Sequence, residues 1–192
     1  MIIKGETCMR VIAGKAKRRK LIAPEGLHTR PITDRIKEAL FSMWQFDIAD
    51  SNFLDLFSGS GSMGIEALSR GAKKVVMVDN DNNAIKVIKE NLKNCKLDEG
   101  NEVVLKEDVF SYIGRSKEQF DIIYADPPFT VDAIFDPVME ALGESDLLKK
   151  DGFVALRTEE NKKMKDNYGK LVKYKEKKYG ISMVHFYKEN DL

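Results

Sequence analysis

The sequence predicts an α/β fold built on a mostly parallel sheet, and three observations lead to it. Between residues 52 and 157, short apolar runs alternate with runs of helical period, which is the pattern of successive βαβ units. The apolar runs are nearly continuous, as in strands that are buried on both faces of a sheet. The end of the chain differs, because two strand-like runs meet at Gly180 and indicate an antiparallel hairpin that closes the sheet.

The individual elements follow in chain order. Thr33 or Asp34 can cap a first helix, in which Ile36 and Leu40 lie on one apolar face. Seven strands are predicted, at Asn52–Phe57, Lys74–Asp79, Glu102–Leu105, Phe120–Ala125, Gly152–Arg157, Leu171–Tyr179 and Ile181–Lys188. The helices between them are predicted at Met63–Arg70, Asn82–Leu97 and Ala133–Leu142, with a short turn at Val109–Ile113.

A basic piece precedes this region. The partly β-branched runs Arg10–Gly14 and Lys20–Ala23 flank a cluster of lysines and arginines and suggest a small β-hairpin. Residues 24–31 contain two prolines and a glycine, which is typical of a loop. We therefore predict an N-terminal extension over residues 1–30 and one larger domain over residues 31–192. The patterned sequence begins at Met9, so no element is predicted for residues 1–8.

The charge is distributed unevenly along the chain. The 192 residues are 43% hydrophobic and 33% charged, with a net charge of +1. Residues 1–44 carry +6 and the rest carries −5, so the near-zero total conceals a basic end. A solvated surface would explain that imbalance, but so would a footprint for the phosphate backbone of a nucleic acid.

Composition excludes several other classes. There is no apolar run of about 18 residues that could span a membrane, and the first residues lack the apolar region of a signal peptide. The two cysteines and two histidines argue against a disulfide scaffold and against a metal centre. We expect no metal, and a cytoplasmic location.

A glycine loop follows the first strong strand and opens a helix. Residues 59–64 match G-x-G-x-x-G, and acidic Asp79 ends the next strand, where a carboxylate can accept hydrogen bonds from ribose hydroxyls. A structural turn would use the same glycines, and both dinucleotides and S-adenosylmethionine fit the loop. Asp55, just before the glycines, favours the second ligand, because a carboxylate attracts an amine and a sulfonium but repels a pyrophosphate.

The second motif is Asp126-Pro127-Pro128-Phe129, directly after the fourth strand. The prolines fix φ and leave rigid carbonyls without N–H donors. A carboxylate and a carbonyl that accept the two N–H groups of an exocyclic amine aim its nitrogen at an electrophilic methyl group, and an aromatic ring can stack on the base. The same residues also make a good β-turn; their position after the glycine loop favours the chemical interpretation.

Together these motifs resemble the class I S-adenosylmethionine-dependent methyltransferases and, more narrowly, the bacterial 16S rRNA guanine-N2 methyltransferases of the RsmD type. The resemblance extends from Met9 to near the C-terminus, through MRVIAGKAKRRKL, RPITDRIKEALFSMW, DLFSGSGSMGIEALSRGA, VVMVDND, DPPF and KKYGISMVHFYK. The glycine loop and DPPF are shared by many methyltransferases, whereas the segment Arg30–Arg35 is the more specific part.

The resemblance implies a Rossmann-like fold, S-adenosylmethionine as cofactor, and methylation of guanine N2 in 16S rRNA (guanine 966 in the family) of the small ribosomal subunit by a monomer. It also implies site residues. The cofactor would be bound by Asp55, Ser58, Gly59, Gly61, Asp79, Asn80, Asp108 and Val109. The target amine and base would be bound by Asp126, Pro127, Pro128 and Phe129. The RNA would be contacted by Arg10, Lys15, Lys17, Arg18, Arg19, Arg30 and Arg35.

Three other functions remain open at this stage. A nicotinamide-dependent dehydrogenase would use the glycine loop and Asp79 but leaves Asp126–Phe129 unexplained. A DNA adenine-N6 methyltransferase would use the same amine chemistry, but the chain is short for an additional DNA-reading domain. A non-catalytic RNA-binding module would need only the basic end. Asp108 can equally be a helix cap.

Overall fold

A computed structural model of the protein describes residues 9–25 and 32–190. Its centre is one sheet of eight strands in the order β3-β2-β1-β4-β5-β8-β7-β6. The strands are β1 Asn52–Leu56, β2 Lys74–Asp79, β3 Glu102–Lys106, β4 Phe120–Ala125, β5 Leu148–Glu159, β6 Asn167–Tyr168, β7 Leu171–Tyr179 and β8 Ser182–Glu189. The first five are parallel, and β8, β7 and β6 continue the sheet in antiparallel pairs. The predicted fold class is confirmed.

The sheet has eight strands rather than the predicted seven. The additional strand, β6, has only two residues, too few to show any periodicity. Strand β5 begins four residues before its predicted start, because a register shift in its pairing with β4 allows the polar run after Leu148 to extend the strand. Both differences arise from pairing between distant residues, which local sequence patterns do not report.

Five α-helices cover the sheet: α1 Asp34–Met43, α2 Ser62–Ser69, α3 Asn82–Cys95, α4 Val109–Arg115 and α5 Phe135–Glu144. Thr33 caps α1, as predicted. The predicted turn after Asp108 is a helix, α4. Pro137 lies in the first turn of α5, where its missing N–H costs no hydrogen bond.

The helices divide between the two faces of the sheet. The apolar residues of α1, α2 and α3 share one core with one face, and those of α4 and α5 share a second core with the other. Both faces of the parallel strands are therefore buried, which explains their nearly continuous apolar sequences. With both faces covered, a ligand can reach the sheet at the edge formed by the carboxyl ends of the parallel strands.

Residues 9–25, which we call the basic segment, pack on the face of α1–α3. The predicted hairpin is reduced to one antiparallel bridge, between Arg10 and Lys20. The chain turns at Gly14, where a Cβ atom would lie 1.8 Å from the backbone oxygen of Ser69 and φ is +82°, so only glycine fits there. Contact with α2 thus replaces a longer strand ladder.

Candidate active site

A cavity of about 660 Å³ lies at the carboxyl ends of β1, β2 and β4. Strand order reverses between β1 and β4, and open α/β sheets bind their ligands at such a reversal. The predicted site residues that line the cavity are Asp55, Ser58, Gly59, Asp79, Asn80, Asp108, Val109, Asp126, Pro127, Pro128 and Phe129. The fold thus brings together residues from motifs more than 70 positions apart in the sequence.

Asp79 connects the end of β2 to the glycine loop. Its Oδ2 accepts a hydrogen bond of 2.8 Å from the backbone N–H of Gly59, and its Oδ1 accepts one of 2.9 Å from that of Asp81. Burial raises the pKa of Asp79, whereas these two backbone hydrogen bonds lower it. The Asp79 carboxylate therefore stabilises the glycine loop. It also faces the cavity, where its remaining lone pairs can accept hydrogen bonds from ligand hydroxyls.

Asp55 lies deeper, near the end of β1, and only 1% of its surface is exposed. Its Oδ2 accepts a hydrogen bond of 3.0 Å from the backbone N–H of Gly64. Burial raises the pKa of Asp55 to about 8, and the nearby carboxylates of Asp126 and Asp79 contribute in the same direction. A cationic ligand group beside Asp55 would favour its ionised form.

The two later glycines of the motif serve packing. Gly61 caps α2 and lies against the side chain of Ile88; it is the one predicted cofactor residue that does not line the cavity. At Gly64, a Cβ atom would lie 2.7 Å from the side chain of Met77 on β2. A side chain there would push α2 away from the sheet and from the loop that α2 supports.

Asp126 occupies the other end of the cavity, after β4. Its Oδ2 accepts a hydrogen bond of 2.7 Å from Arg157 and one of 3.2 Å from the Tyr124 hydroxyl. The Arg157 side chain is 4% exposed and the Asp126 side chain 20%. Burial raises the pKa of Asp126, and the Arg157 guanidinium opposes that rise. Both hydrogen bonds end on Oδ2, which leaves Oδ1 for a ligand.

Arg157 also supports the aromatic residue of the motif. Its guanidinium carbon lies 5.0 Å from the centre of the Phe129 ring, and Phe135 lies 6.4 Å from that ring on α5. The backbone oxygen of Pro128 accepts from Val131 N–H. The Pro127 carbonyl is therefore the better candidate for a ligand amine. One buried arginine thus positions both a carboxylate and a ring.

Asp108 both caps a helix and lines the cavity. Its side chain accepts a hydrogen bond of 3.0 Å from Ser111 N–H and so caps α4, and the residue also lines the cavity. The following Phe110 lines the cavity too, with 37% of its surface exposed. The aromatic face of Phe110 is a candidate for contact with a flat ring of a ligand. The sequence analysis did not identify this residue.

Sequence reasoning also missed Phe57, Tyr124 and Arg157, all of which line the cavity. Phe57 has a φ of +60°, which is unusual for a bulky residue and typical of functional loops. Arg157 had a usable signal, since it is a charge at the end of an otherwise apolar run. A charge in a buried strand requires a partner, and here that partner is Asp126.

The predicted RNA-binding residues divide into three groups. Those exposed on the surface are Lys15, Lys17, Arg18, Arg19 and Arg35. Arg10 is exposed as well, but its Nε lies 2.8 Å from Asp34, so its charge is partly compensated. Arg30 lies outside the described residues.

Buried side chains hold the basic segment in place. Glu66 on α2 is fully buried and accepts hydrogen bonds from the backbone N–H groups of Ile12 and Ala13, at 2.8 and 3.0 Å. On α3, buried Asn91 accepts from Ile22 N–H and donates to its carbonyl. The segment is therefore fixed to the α/β core at two separate points.

Lys37 belongs to this support. Its Nζ lies 3.5 Å from Glu66, donates to the Arg10 carbonyl and to Ser62, and is buried. Burial lowers the pKa of Lys37, and Glu66 raises it. The +6 charge of residues 1–44 thus includes one positive charge that solvent and RNA cannot reach.

Two features are absent from residues 9–25 and 32–190. No helix there combines the length and the apolar character that crossing a membrane requires. No group of three or more histidines, cysteines, aspartates or glutamates is arranged to hold a metal ion.

The strand order and the cavity define a Rossmann-like protein of the class I methyltransferase type. The solved structure named "Putative methyltransferase yhhF", from Escherichia coli, has a TM-score of 0.81 to this chain at 27% identity. The match covers 96% of this chain and 99% of that one.

The family follows from the sequence comparisons. The family model described as "Conserved hypothetical protein 95" matches residues 9–188. "Ribosomal RNA small subunit methyltransferase D" from Haemophilus influenzae is 36% identical over 96% of this chain and 94% of its own length. "Putative rRNA methyltransferase YlbH" from Bacillus subtilis is 35% identical over 94% and 99%. The chain therefore belongs to this family, the RsmD-type methyltransferases.

These likenesses confirm the suspected family and the fold class. S-adenosylmethionine is confirmed as the cofactor of that class, since one solved structure of this fold is named a SAM-dependent methyltransferase and another is a methyltransferase complexed with SAH. They support a methyltransferase that acts on rRNA. The roles of individual residues, the target base and the monomeric state stay predictions.

Proposed function

We propose that this protein transfers a methyl group from S-adenosylmethionine to the exocyclic N2 amine of a guanine in 16S rRNA, at the position numbered 966 in the family. The observation that carries the proposal is the Asp126 carboxylate, held by Arg157 and Tyr124 in the cavity that Asp55 and Asp79 also line. The names of its relatives support rRNA as the substrate class.

The cavity residues fit the cofactor. Asp79 would accept hydrogen bonds from the ribose, with Asn80 beside it, and Asp55 would face the cationic methionine part. Asp108 and Val109 would border the adenine. When bound, the cofactor supplies an electrophilic methyl group on sulfur. The protein's own contribution is to bind that group in the cavity that the Asp126 carboxylate also lines.

The amine would be bound by the DPPF motif. The nitrogen lone pair of an exocyclic amine is delocalised into the ring, so the free amine is a poor nucleophile. Asp126 Oδ1 and the Pro127 carbonyl would accept its two N–H groups and aim the lone pair at the methyl group. The base would leave its stack to reach them, and Phe129 would stack on its face.

The transfer forms one N–C bond, breaks one S–C bond and releases one proton from nitrogen. Asp126 is placed to take that proton, because burial raises its pKa above the usual range for an aspartate. Arg157 donates to Oδ2, whereas the amine would donate to Oδ1, so the guanidinium would hold the carboxylate in position throughout.

The substrate would be bound outside the cavity by the basic segment. The lysines and arginines there would contact rRNA phosphates, with the N-terminal extension acting as the RNA-binding part of a monomer. Arg18, in a left-handed conformation at φ +71°, and Arg19 project from the turn of the segment and are exposed.

Tritium transfer tests the proposal. Small ribosomal subunits that lack the modification, and naked 16S rRNA, are incubated with the protein and cofactor labelled in the methyl group, and the labelled base is mapped. Label at guanine N2 of 16S rRNA is the expected result. Label in DNA adenine, or no transfer together with binding of NAD, would overturn it.

A further inference from the structure

Strand β7 carries a second set of basic side chains, which the basic segment does not include. A register shift between Lys173 and Lys175 in the pairing of β7 with β8 changes which side chains share a face. Beyond it, Lys175 is paired with Phe186 and Lys177 with Val184, both members of the core on the α1–α3 face. Both lysines therefore lie on the face of the sheet that the basic segment covers.

The two faces of β7 differ in how their charges are paired. On the face of α4 and α5, Lys173 lies 3.2 Å from Asp166, and Lys178 forms an ion pair with Glu160. On the face of α1–α3, Lys175 and Lys177 contact aromatic rings, at 5.9 Å from Phe186 and 5.3 Å from Tyr179. Among the described residues, neither of these two lysines has a carboxylate within 4.0 Å.

Helix α1 connects these lysines to the basic segment. Lys175 Nζ lies 3.1 Å from the sulfur of Met43, at the end of α1. Arg35 is eight residues earlier on α1, which places it about 12 Å along the axis and about a quarter of a turn away. Arg10, in the basic segment, is bonded to Asp34 at the start of the same helix. Arg10 and Arg35 thus lie at the start of α1 and Lys175 at its end.

The same surface leads to the cavity. Strand β7 ends at Tyr179, and Ile181 in the following turn is half-exposed and lines the cavity. Burial raises the pKa of Tyr174, the residue before Lys175, and Asp47 helps to raise it, so one negative charge borders this surface at its end away from the cavity. An RNA strand with a base in the cavity would therefore meet Lys177 and then Lys175 where it continues along β7 towards the end of α1.

We propose that Lys175 and Lys177 form a second RNA contact, which binds phosphates of the rRNA on the side of α1 away from the basic segment. The inference rests on the function proposed above. Lysines on exposed strand edges ordinarily prevent edge-to-edge association of sheets. The proposed role is different, because it requires that Lys175 and Lys177 contribute to RNA affinity.

The test compares two double variants of equal charge. K175Q/K177Q removes the proposed contact, and K170Q/K178Q removes two exposed lysines whose partners are Asp146 and Glu160. Binding of a labelled 16S rRNA transcript is measured from about 50 to 200 mM salt. Because each phosphate contact contributes about 0.7–0.9 to the slope of log affinity against log salt, K175Q/K177Q should lower that slope by about 1.5. Apparent KM should rise while kcat is unchanged.

The outcomes separate the two proposals. Equal slopes for the two double variants, or aggregation of K175Q/K177Q with RNA affinity intact, would overturn the second contact and leave the methyltransferase. Wild-type protein that neither binds nor methylates rRNA would overturn the function itself. Cofactor binding and Tm report whether each variant is folded. If the double variant unfolds, the single variants K175Q and K177Q decide, each with an expected slope change of about 0.7–0.9.

Discussion

The carboxylates at the two ends of the cavity are held in different ways. Asp79 and Asp55 accept hydrogen bonds from backbone N–H groups of the glycine loop and of α2, within 20 residues of themselves. Asp126 is held by side chains, chiefly Arg157, which is 31 residues away on another strand. The proposed cofactor end is thus built by a local motif, and the proposed amine end by the packing of β4 against β5.

That difference predicts separable functions. Side-chain changes at Asp126 or Arg157 leave the loop hydrogen bonds intact, so they should affect transfer more than cofactor binding. Changes at Asp55 should do the opposite. The basic surface outside the cavity should affect neither step once RNA is bound.

The largest effect is expected for Asp126→Ala. The substitution removes the acceptor of the amine and the group placed to take its proton, and positioned acid–base groups contribute about 10²–10⁴ in rate. We expect kcat to fall by about 10³ or more, with cofactor affinity nearly unchanged, as measured by single-turnover methyl transfer and by calorimetry. Asp132→Ala, an exposed aspartate near the cavity, is the control. Wild-type turnover in Asp126→Ala would contradict the assignment.

Replacement of Arg157 should have the next largest effect. In the wild type, the Arg157 guanidinium opposes the rise in the pKa of Asp126. Arg157→Leu removes that guanidinium. That pKa should therefore increase, and the ascending limb of the pH–rate profile should move to higher pH, with kcat reduced roughly 10²-fold at neutral pH. Arg157→Lys keeps the positive charge and should restore most of the profile. A loss of stability without any shift of the profile would mean that Arg157 supports only the fold.

The same contrast explains what the sequence could predict. Asp55, Asp79 and the glycines are recognisable because their hydrogen-bond partners lie within one βαβ unit, where spacing reflects geometry. Arg157 and the buried Lys37–Glu66 pair depend on contacts between distant elements. Strand β6 and the register of β7 are long-range features as well. The net charge of the basic end also included Lys37, which is buried, because a count carries no information about burial.

Asp55 should show a smaller effect that depends on pH. Its carboxyl ionises near pH 3.8 when unfolded but at about 8 in the folded protein. Folding without ligand therefore loses stability as the pH rises from about 4 to 8. Asp55→Asn should remove that loss, so its Tm should exceed that of the wild type by a margin that grows up to pH 8 and then stays constant.

Cofactor binding gives the matching readout for Asp55. A cationic ligand requires the ionised carboxylate, so wild-type affinity should increase with pH up to about 8. Asp55→Asn should abolish this dependence and weaken binding about 10- to 100-fold, as expected for a lost hydrogen bond to a charged group. Unchanged affinity across the pH range would place the cationic part of the ligand elsewhere.

The smallest effect at low salt is expected outside the cavity, for Arg18→Gln combined with Arg19→Gln. Both side chains are exposed on the basic segment, which Glu66 and Asn91 hold through its backbone, so the fold should be unaffected. The slope of log RNA affinity against log salt should fall by about one for each lost phosphate contact. Cofactor affinity and kcat should stay at wild-type values.

Glu66→Gln provides the contrast, because it weakens the hydrogen bonds that hold the basic segment and leaves the surface charges in place. If the arginine variant leaves the salt slope unchanged while Glu66→Gln reduces RNA binding, the shape of the segment, and not its charge at the turn, is what RNA recognises.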